Sequence, residues 1–383
     1  MALRVLAHFQ PGEKVIDQVA AESDWLDVHW VPETDDEAFY RELPEAEVIW
    51  HVLRPLSGDD LTKATKLKLV QKLGAGVNTI DVETATERGI GVSNMPGANA
   101  ASVAETAVLL MLATLRRLPE LDRAIREGRG WPTDHTLGDR VRDLGSCTIG
   151  LVGYGNIAKR AEQILRSTGA SVLHTSTSRD VNSTTWFTLK DLLAKCDIIS
   201  LHLPLTAETE KMIDAAALAG MKPGAILVNT ARGEIVDEDA LVDALRSGQL
   251  AAAGLDVFAQ EPVAADNPLL AMDNVILSPH VSWLTADTME RYLTSAIKNC
   301  RRPRDADSQP ADLLEGRGRP GPAGCAPGRV GRRTGFRHPR ARDRARRVRL
   351  WRRARAVRAI RHRQCADLGR RPRQRTARRA GLG

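Results

Sequence analysis

The sequence has few of the features that mark secreted or membrane proteins. Its five cysteines lie far apart along 383 residues and form no C-x-x-C pair, which argues against a disulfide framework or a zinc site. No apolar run reaches the roughly 20 residues that a membrane-spanning helix needs. The short apolar segment before Pro11 and Gly12 predicts a first strand, not a signal peptide. We therefore expect a soluble cytoplasmic protein that needs no metal and no membrane.

Lysine is missing from the last part of the chain, although the formal net charge of the whole is +7. Residues 301–383 hold 27 Arg, no Lys and six acidic residues, a net charge of +21, whereas the residues before them carry a net charge of −14. The first 300 residues thus form an acidic body, with enough apolar residues for two ordinary domains.

The basic end, residues 304–383, has no apolar periodicity and is rich in Arg, Gly, Pro and Ala. Such a composition cannot bury a core, so we expect a disordered tail. It could be a basic arm that binds nucleic acid phosphates, although Phe336 and Trp351 are too few for a stacking platform, or an extension without function. We favour a shift of reading frame near residues 302–310, because GC-rich codons encode Arg, Ala, Gly and Pro, whereas Lys codons are AT-rich.

Apolar segments of strand length alternate with helix-length segments in the acidic body. Four lie before residue 95: LRVLAHF (3–9), AEVIWHV (46–52), LKLVQKLG (67–74) and GIGVSN (89–94). Six follow residue 147: IGLVG, VLHTS, DIISLHL, AILVNTA, AAGLDVF and NVILSPH. This alternation predicts parallel α/β sheets, and six units suit a Rossmann domain. Between the two groups, Ser102 and Glu105 predict a capping box at the start of a long, buried helix.

The predicted fold class is α/β, with two doubly wound parallel-sheet domains. A Rossmann nucleotide-binding domain, residues 99–285, is inserted in a flavodoxin-like substrate domain, residues 1–98 and 286–303. The second part of the substrate domain is a helix that returns to the first part.

A glycine-rich segment, Gly153-Tyr-Gly155-Asn156-Ile157-Ala158, fits the pattern G-x-G-x-x-A between an apolar strand and a helix-like segment. Its glycines allow a tight turn and close approach of backbone N–H groups to a pyrophosphate, which a helix N-terminus favours electrostatically. Without a ligand the segment would be an ordinary glycine turn. In this context we predict a dinucleotide site.

The end of the next strand indicates which dinucleotide binds. An NAD-preferring site has Asp or Glu about 20 residues beyond the glycines, but here the place falls near Ser176. Ser176 and Thr177 could donate hydrogen bonds to a 2′-phosphate, and Arg179 could pair with it. The cofactor is therefore predicted to be NAD(P), with a leaning to NADP(H). The alternative is a solvated loop in which Arg179 pairs with Asp180.

Three later segments each follow a predicted strand: VNTARGEIVDEDAL with Arg232, GLDVFAQEPV with Asp256 and Glu261, and ILSPH with His280. Ligands of open α/β sheets bind beyond the carboxyl ends of strands, so these side chains can converge. A 2-oxo acid needs a cation for its carboxylate, which Arg232 supplies, and a proton donor near the forming alkoxide, which His280 supplies with Glu261 to orient it. Taken singly, each residue could instead be a loop histidine, a helix cap or a surface acid.

Taken together, seven elements across roughly residues 45–300 resemble the D-2-hydroxyacid dehydrogenase family: GAGVNTIDV, NMPGANAASVAE, GLVGYGNIA, LHLPLT, VNTARGEIVDEDAL, GLDVFAQEP and SPH. The resemblance implies that Arg232, Glu261 and His280 are catalytic, that Asp256 holds the nicotinamide amide, and that two domains close on the cofactor. Further implied sites are the substrate contacts Leu53, Gly76 and Val77, the cleft residues Asn99 and Val103, the cofactor contacts His202, Pro204 and Thr230, and a homodimer interface on helix 102–116.

The resemblance also separates subclasses. Formate dehydrogenases have glutamine where Glu261 stands, which argues against that activity, and reduction of glyoxylate or hydroxypyruvate fits an NADPH preference. Ala158 replaces the usual third glycine and Ser176 the usual acid, which bears on cofactor choice. Two rival functions remain: a cofactor-sensing binding protein similar to transcriptional co-repressors of this family, and nucleic acid binding through the basic tail.

Overall fold

The structure is a computed structural model that describes residues 2–129, 136–178 and 183–304. The predicted tail, residues 304–383, lies outside the described residues except for its first residue, and so does Arg179. The described chain forms two parallel sheets with helices on both faces, as the predicted fold class requires.

The first sheet has five strands in the order β2-β1-β3-β4-β5, the flavodoxin-like order, and every pair is parallel. Its strands are β1 (Leu3–His8), β2 (Leu26–Trp30), β3 (Val48–His51), β4 (Leu69–Lys72) and β5 (Gly91–Ser93). The sequence did not predict β2. Only its first residue is buried, so this edge strand lacks the apolar pattern that identified the others.

The second sheet has six parallel strands in the order β11-β10-β9-β8-β6-β7. They are β6 (Thr148–Val152), β7 (Ser171–Thr175), β8 (Ile198–Leu201), β9 (Ala225–Asn229), β10 (Leu250–Leu255) and β11 (Val275–Leu277). All six correspond to predicted strands. The order reverses at β6, where β7 and β8 lie on opposite sides, and the glycine-rich segment follows this strand.

Twelve α-helices lie within the described residues: α1 (Glu13–Ala20), α2 (Asp36–Glu42), α3 (Gly58–Lys63), α4 (Val82–Glu87), α5 (Ala100–Leu115), α6 (Leu118–Arg126), α7 (Leu137–Arg140), α8 (Asn156–Ser167), α9 (Leu189–Lys195), α10 (Ala215–Ala219), α11 (Glu238–Arg246) and α12 (Ala286–Arg304). None of them is long and apolar enough to cross a membrane.

The predicted capping box of α5 is wrong. Asn99 is the N-cap, without a side-chain hydrogen bond, and Ser102 lies inside the helix. The Ser102 hydroxyl instead lies 3.1 Å from that of Thr285 and 2.7 Å from that of Thr288. The side chain therefore joins α5 to the start of α12, a long-range contact that a local sequence pattern cannot show.

Helix α12 packs on the first sheet, although it follows the second in the chain. Tyr292, Leu293 and Ile297 belong to the same buried cluster as Trp50 of β3. The indole N–H of Trp50 donates to Sγ of Cys300 over 3.4 Å. The first sheet therefore requires a segment about 200 residues later in the chain to cover one of its faces.

Candidate active site

A cleft with a volume of about 830 Å³ lies at the carboxyl ends of strands from both sheets. It brings together most of the sequence-predicted residues. Those on its lining are Leu53, Gly76, Val77, Asn99, Val103, Gly155, Asn156, Ile157, His202, Pro204, Thr230, Arg232 and His280. The two sheets thus contribute to one site, in keeping with the rule that ligands of open α/β sheets bind beyond the carboxyl ends of the strands.

The glycine-rich turn has the shape that close approach to a ligand requires. Gly153 has a φ of +90°, and a side chain there would collide with the backbone carbonyl of His202. Gly155 is the N-cap of α8, which begins at Asn156 and points its N-terminus toward the cleft lining. Ala158 is fully buried against the sheet, so a methyl group fits where the third glycine is usual.

Polar atoms without partners lie along the same part of the cleft. Among the described residues, Nδ1 of His202, Oγ1 of Thr230 and Oδ1 of Asn99 are buried and lack a hydrogen-bond partner. Burial also lowers the pKa of His202 to about 4, so its imidazole is neutral. Buried polar groups are normally satisfied. These atoms, with the Gly153 turn, fit a cofactor that supplies the missing partners.

The other predicted cofactor contacts do not line the cleft. The Ser176 hydroxyl donates to the carbonyl oxygen of Ser178 over 2.8 Å, and Thr177 is exposed. Neither residue, nor any other from Ser171 to Ser178, carries a carboxylate. The loop after β7 therefore presents hydroxyl groups and no acid at the place where an NAD-preferring site has one.

His280 and Glu261 form a direct pair. Nδ1 of His280 lies 2.6 Å from Oε2 of Glu261, and Oε1 of Glu261 accepts a hydrogen bond from the backbone N–H of Phe258 over 3.0 Å. Burial alone would raise the pKa of Glu261, but the hydrogen bond and charge of His280 hold this pKa below its usual value. With Nδ1 directed at a carboxylate, Nε2 is the nitrogen that can exchange a proton with a ligand.

Arg232 lies on the loop after β9 and lines the same cleft. Its Nη1 donates to the carbonyl oxygen of Ala231 over 2.6 Å and its Nε to Oδ1 of Asn78 over 3.3 Å. Burial lowers the pKa of Arg232, and Glu261 and Glu234 partly offset this effect. A guanidinium ordinarily stays charged at every accessible pH, so the cleft holds a half-buried cation. Water screens its attraction for an anion less than it would at a fully exposed site.

Asp256 lies beneath the cleft and does not contribute to its lining. Its fully buried carboxylate accepts hydrogen bonds from the hydroxyl of Ser278 (2.5 Å) and the backbone N–H groups of Val281 (3.0 Å) and Ser282 (2.9 Å). These contacts fix the loop that carries His280. A contact between Asp256 and a nicotinamide amide stays a prediction.

Sequence reasoning missed several residues of the site. Asn78 orients Arg232, and Asn229 holds the same loop by donating to the Arg232 carbonyl oxygen over 2.8 Å. Lys72, at the end of β4, lines the cleft although it is 4% exposed. A lysine at the end of a predicted strand was the available signal. Within the described residues, no cluster of His, Cys, Asp and Glu could hold a metal ion.

Comparisons with known proteins agree with this geometry. The family model described as D-isomer specific 2-hydroxyacid dehydrogenase, NAD binding domain, matches residues 108–282. A glyoxylate reductase of Aeropyrum pernix is 40% identical over 267 residues, which is 67% of this chain and 79% of the relative. The TT0316 protein of Thermus thermophilus superposes with a TM-score of 0.73 at 32% identity, covering 80% of this chain and 99% of that one.

Longer relatives match as well. The D-3-phosphoglycerate dehydrogenase of Mycobacterium tuberculosis strain H37Rv is 39% identical over 289 residues, which is 74% of this chain and 54% of the relative. The chain therefore spans about half the length of the curated phosphoglycerate dehydrogenases it matches.

Proposed function

The chain belongs to the D-isomer specific 2-hydroxyacid dehydrogenase family, and on this premise we propose that it transfers a hydride between NAD(P)H and a small 2-oxo acid to give a D-2-hydroxy acid. The observation that carries the proposal is the hydrogen-bonded pair of Glu261 and His280, of which His280 lines the same cleft as Arg232. Proton transfer to an anionic carbonyl substrate needs a histidine that a carboxylate orients, and a cation nearby that binds the substrate's charge.

In the proposed mechanism, Arg232 and the loop of Gly76 and Val77 bind the substrate carboxylate. A side chain at Gly76 would collide with Nη2 of Arg232, so the absence of one lets the guanidinium reach the loop backbone. Leu53, which also lines the cleft, would contact the substrate's remaining carbons. The acid is thereby held by its charged end, with its carbonyl directed at His280.

His280 would donate a proton from Nε2 to the forming alkoxide during reduction and remove it during oxidation. Glu261 keeps Nδ1 occupied and so holds the imidazole in orientation. The bound nicotinamide would supply or accept the hydride. Asp256 would act as a positioning residue, because its carboxylate binds the Ser278 hydroxyl before His280 and two backbone N–H groups after it.

The proposed cofactor contacts are Gly153, Gly155, Asn156 and Ile157 at the pyrophosphate and His202, Pro204 and Thr230 along the cleft. We lean to NADP(H), because Ser176 and Thr177 replace the usual carboxylate with hydroxyl groups. Arg179 would complete this phosphate pocket, but it lies outside the described residues.

Glyoxylate and hydroxypyruvate are the proposed first substrates, in keeping with the glyoxylate reductase relative. Steady-state assays with glyoxylate, hydroxypyruvate and pyruvate, each with NADH and NADPH, test the proposal. We expect cofactor oxidation with at least one acid, and loss of this rate in His280→Gln. A panel without oxidation, combined with cofactor binding, would favour the rival function of a cofactor sensor.

The proposed assembly is a homodimer through α5 and its neighbour α6. Leu109 and Leu112 of α5 are 58% and 40% exposed, and Leu118 and Ile125 of α6 are 56% and 52% exposed. Large apolar side chains exposed on adjacent helices are typical of a protein interface. Light scattering measures the assembly directly. We also propose a cytoplasmic location, which the unpaired, buried thiols of Cys147, Cys196 and Cys300 support.

The proposed domain bounds are 1–98 with 286–303 for the substrate domain, 99–285 for the nucleotide-binding domain and 304–383 for the tail. Truncation after Arg304 tests whether the tail matters. We expect full dehydrogenase activity and loss of any retention on DNA or RNA. Loss of activity in a folded truncated protein would give the tail a role in the enzyme. Reading the gene in the other frame tests the frame-shift hypothesis.

A further inference from the structure

Three titratable side chains form a row across the first sheet. His8 ends β1, His51 ends β3 and Lys72 ends β4, and they are register partners on adjacent parallel strands. Partners in register point to the same face of a sheet. Their residues are 1%, 1% and 4% exposed. The sheet therefore buries three basic groups in line, and only Lys72 of the three lines the cleft.

The hydrogen bonds of Lys72 all go to neutral acceptors. Nζ donates to the carbonyl oxygen of Val52, to Oγ1 of Thr79 over 3.2 Å and to Nδ1 of His51 over 3.3 Å. Nε2 of His51 lies 2.6 Å from the carbonyl oxygen of Arg54, to which it must donate, so Nδ1 is the accepting nitrogen. The three acceptors orient the ammonium group but do not balance its charge.

Lys72 and Arg232 both pack against the proposed carboxylate-binding loop. A side chain at Gly74 would place its Cβ 3.3 Å from Cε of Lys72, and one at Gly76 would collide with the Arg232 guanidinium. Two residues of the same loop thus pack directly against two different cations. An anion held by this loop would be attracted by both.

The charges that face Lys72 from the surrounding elements leave it without a carboxylate partner. Arg232, on the loop after β9, is the facing cation. His51 of β3 is neutral and lies next to Lys72, and the neutral His8 of β1 lies beyond it. Glu33, after β2, is the facing acid, but its Oε1 already accepts from the backbone N–H groups of Leu53 and Arg54, each over 2.6 Å. No ion pair of Lys72 occurs among the described residues.

Burial and the charge of Arg232 shift the pKa of Lys72 in the same direction. Burial, followed by the positive charge of Arg232, lowers the pKa of Lys72 to about 7, and Glu33 opposes this only in part. Near neutral pH the amine is thus divided between charged and neutral forms. An anion on the loop favours the charged form, so anion binding and protonation must be linked.

We propose that Lys72 is a second anion-binding residue of the substrate site, and that it takes up a proton when a 2-oxo acid carboxylate binds beside Arg232. This inference rests on the proposed function, because it takes the substrate's carboxylate to lie on the loop of Gly76. Lys72 acts through its charge and not as the proton donor in the reaction.

Oxamate, an unreactive analogue of a small 2-oxo acid, is the probe for this linkage. Its binding to the cofactor-loaded full chain is measured by calorimetry at pH 8 in two buffers of different ionisation enthalpy, which gives the number of protons taken up. The measurement is made in the His280→Gln background, the parent for the variants below, so that no imidazole at this position contributes to the proton count. We expect uptake approaching about one proton for each oxamate bound, because free Lys72 is then mostly neutral.

Variants of Lys72 separate charge from shape. From pH 7 to pH 9, the dissociation constant of oxamate in the His280→Gln parent should rise by up to about tenfold per pH unit, since the charged form of Lys72 becomes scarcer. Lys72→Arg keeps its charge, so its affinity should stay constant with pH. Lys72→Met should bind weakly at every pH, roughly tenfold to a hundredfold more weakly than the parent at pH 6. Lys68→Met, an exposed lysine on the same segment, is the matched control and should behave as the parent.

The proton count and the binding constants distinguish failure of this inference from failure of the proposed function. Oxamate binding without proton uptake, or with equal uptake in Lys72→Arg, overturns this inference and leaves the proposed function standing. No binding of oxamate, glyoxylate or hydroxypyruvate overturns both. If Lys72→Met does not fold, the proton counts of the parent and of Lys72→Arg still give the answer.

Discussion

The backbone N–H of His280 donates to the carbonyl oxygen of Asp256 over 2.7 Å, while the Asp256 carboxylate holds the two residues that follow His280. His280 itself has a φ of +54°, in the left-handed region that non-glycine residues rarely adopt. One buried acid therefore holds the acid–base histidine in an unusual backbone conformation. Such conformations persist where the surrounding structure fixes them, and they cluster at functional sites.

Asp256→Asn tests this support. An amide nitrogen in place of one carboxylate oxygen would face a backbone N–H group, so a buried donor would lose its acceptor. We expect the free energy of unfolding to fall by about 1–3 kcal/mol and kcat to fall more than KM rises, because His280 would be displaced. Urea unfolding and steady-state kinetics measure both effects. Asp287→Asn, an exposed acid on the neighbouring helix, is the control; an unchanged kcat in folded Asp256→Asn would contradict the positioning role.

Gly76→Ala tests the contact between the loop and Arg232. The added methyl group would collide with Nη2 of the guanidinium, which must then withdraw from the loop. We expect KM for the 2-oxo acid to rise about tenfold or more, since small displacements at a reacting site are costly, with a lesser change in KM for the cofactor. Gly138→Ala, where an added methyl group meets nothing within 4 Å, is the control. A normal KM in Gly76→Ala would argue against carboxylate binding on this loop.

Ser176→Asp tests the cofactor preference. A carboxylate after β7 would repel a 2′-phosphate and accept hydrogen bonds from ribose hydroxyls. The ratio of kcat/KM for NADPH to that for NADH should therefore fall by about tenfold or more, and Ser176→Thr, which keeps the hydroxyl, should preserve the ratio. Unchanged discrimination in Ser176→Asp would refute the proposed phosphate pocket.

Buried imidazoles predict how stability depends on pH. Burial lowers the pKa of His8 to about 4, of His51 to about 3 and of His202 to about 4. As the pH falls below about 6.5, the unfolded chain binds protons that the folded chain excludes, so stability is lost with acid. Each imidazole should cost on the order of 2 kcal/mol at pH 5. Urea unfolding at pH 7 and pH 5 measures this, and a smaller loss in His51→Gln is expected; stability that is constant over this range would contradict it.

The sequence predicted elements whose signals are local. Ten of the strands follow from apolar runs, and the glycine-rich turn and Arg232, Glu261 and His280 follow from short motifs. β2 was not predicted, because only the first residue of this edge strand is buried and the strand therefore lacks a run of apolar residues. The predicted capping box is wrong because the Ser102 hydroxyl bonds to Thr285 and Thr288, at the start of α12, which lie more than 180 positions away. Lys72 could not be predicted as a site residue, because only the folded chain brings it to the same cleft as Arg232. No spacing along the sequence indicates this proximity.

Deuterium transfer is the most direct measurement of the central claim, which is that His280, Glu261 and Arg232 together serve hydride transfer to a 2-oxo acid. Hydroxypyruvate is reduced with cofactor that carries deuterium at both C4 positions of the dihydronicotinamide ring, and the product is analysed by chiral chromatography and mass spectrometry. The account predicts D-glycerate with one deuterium at C2, and in His280→Gln a rate lower by roughly a hundredfold or more. Glycerate of the L configuration, product without deuterium, or an undiminished rate in His280→Gln would contradict it.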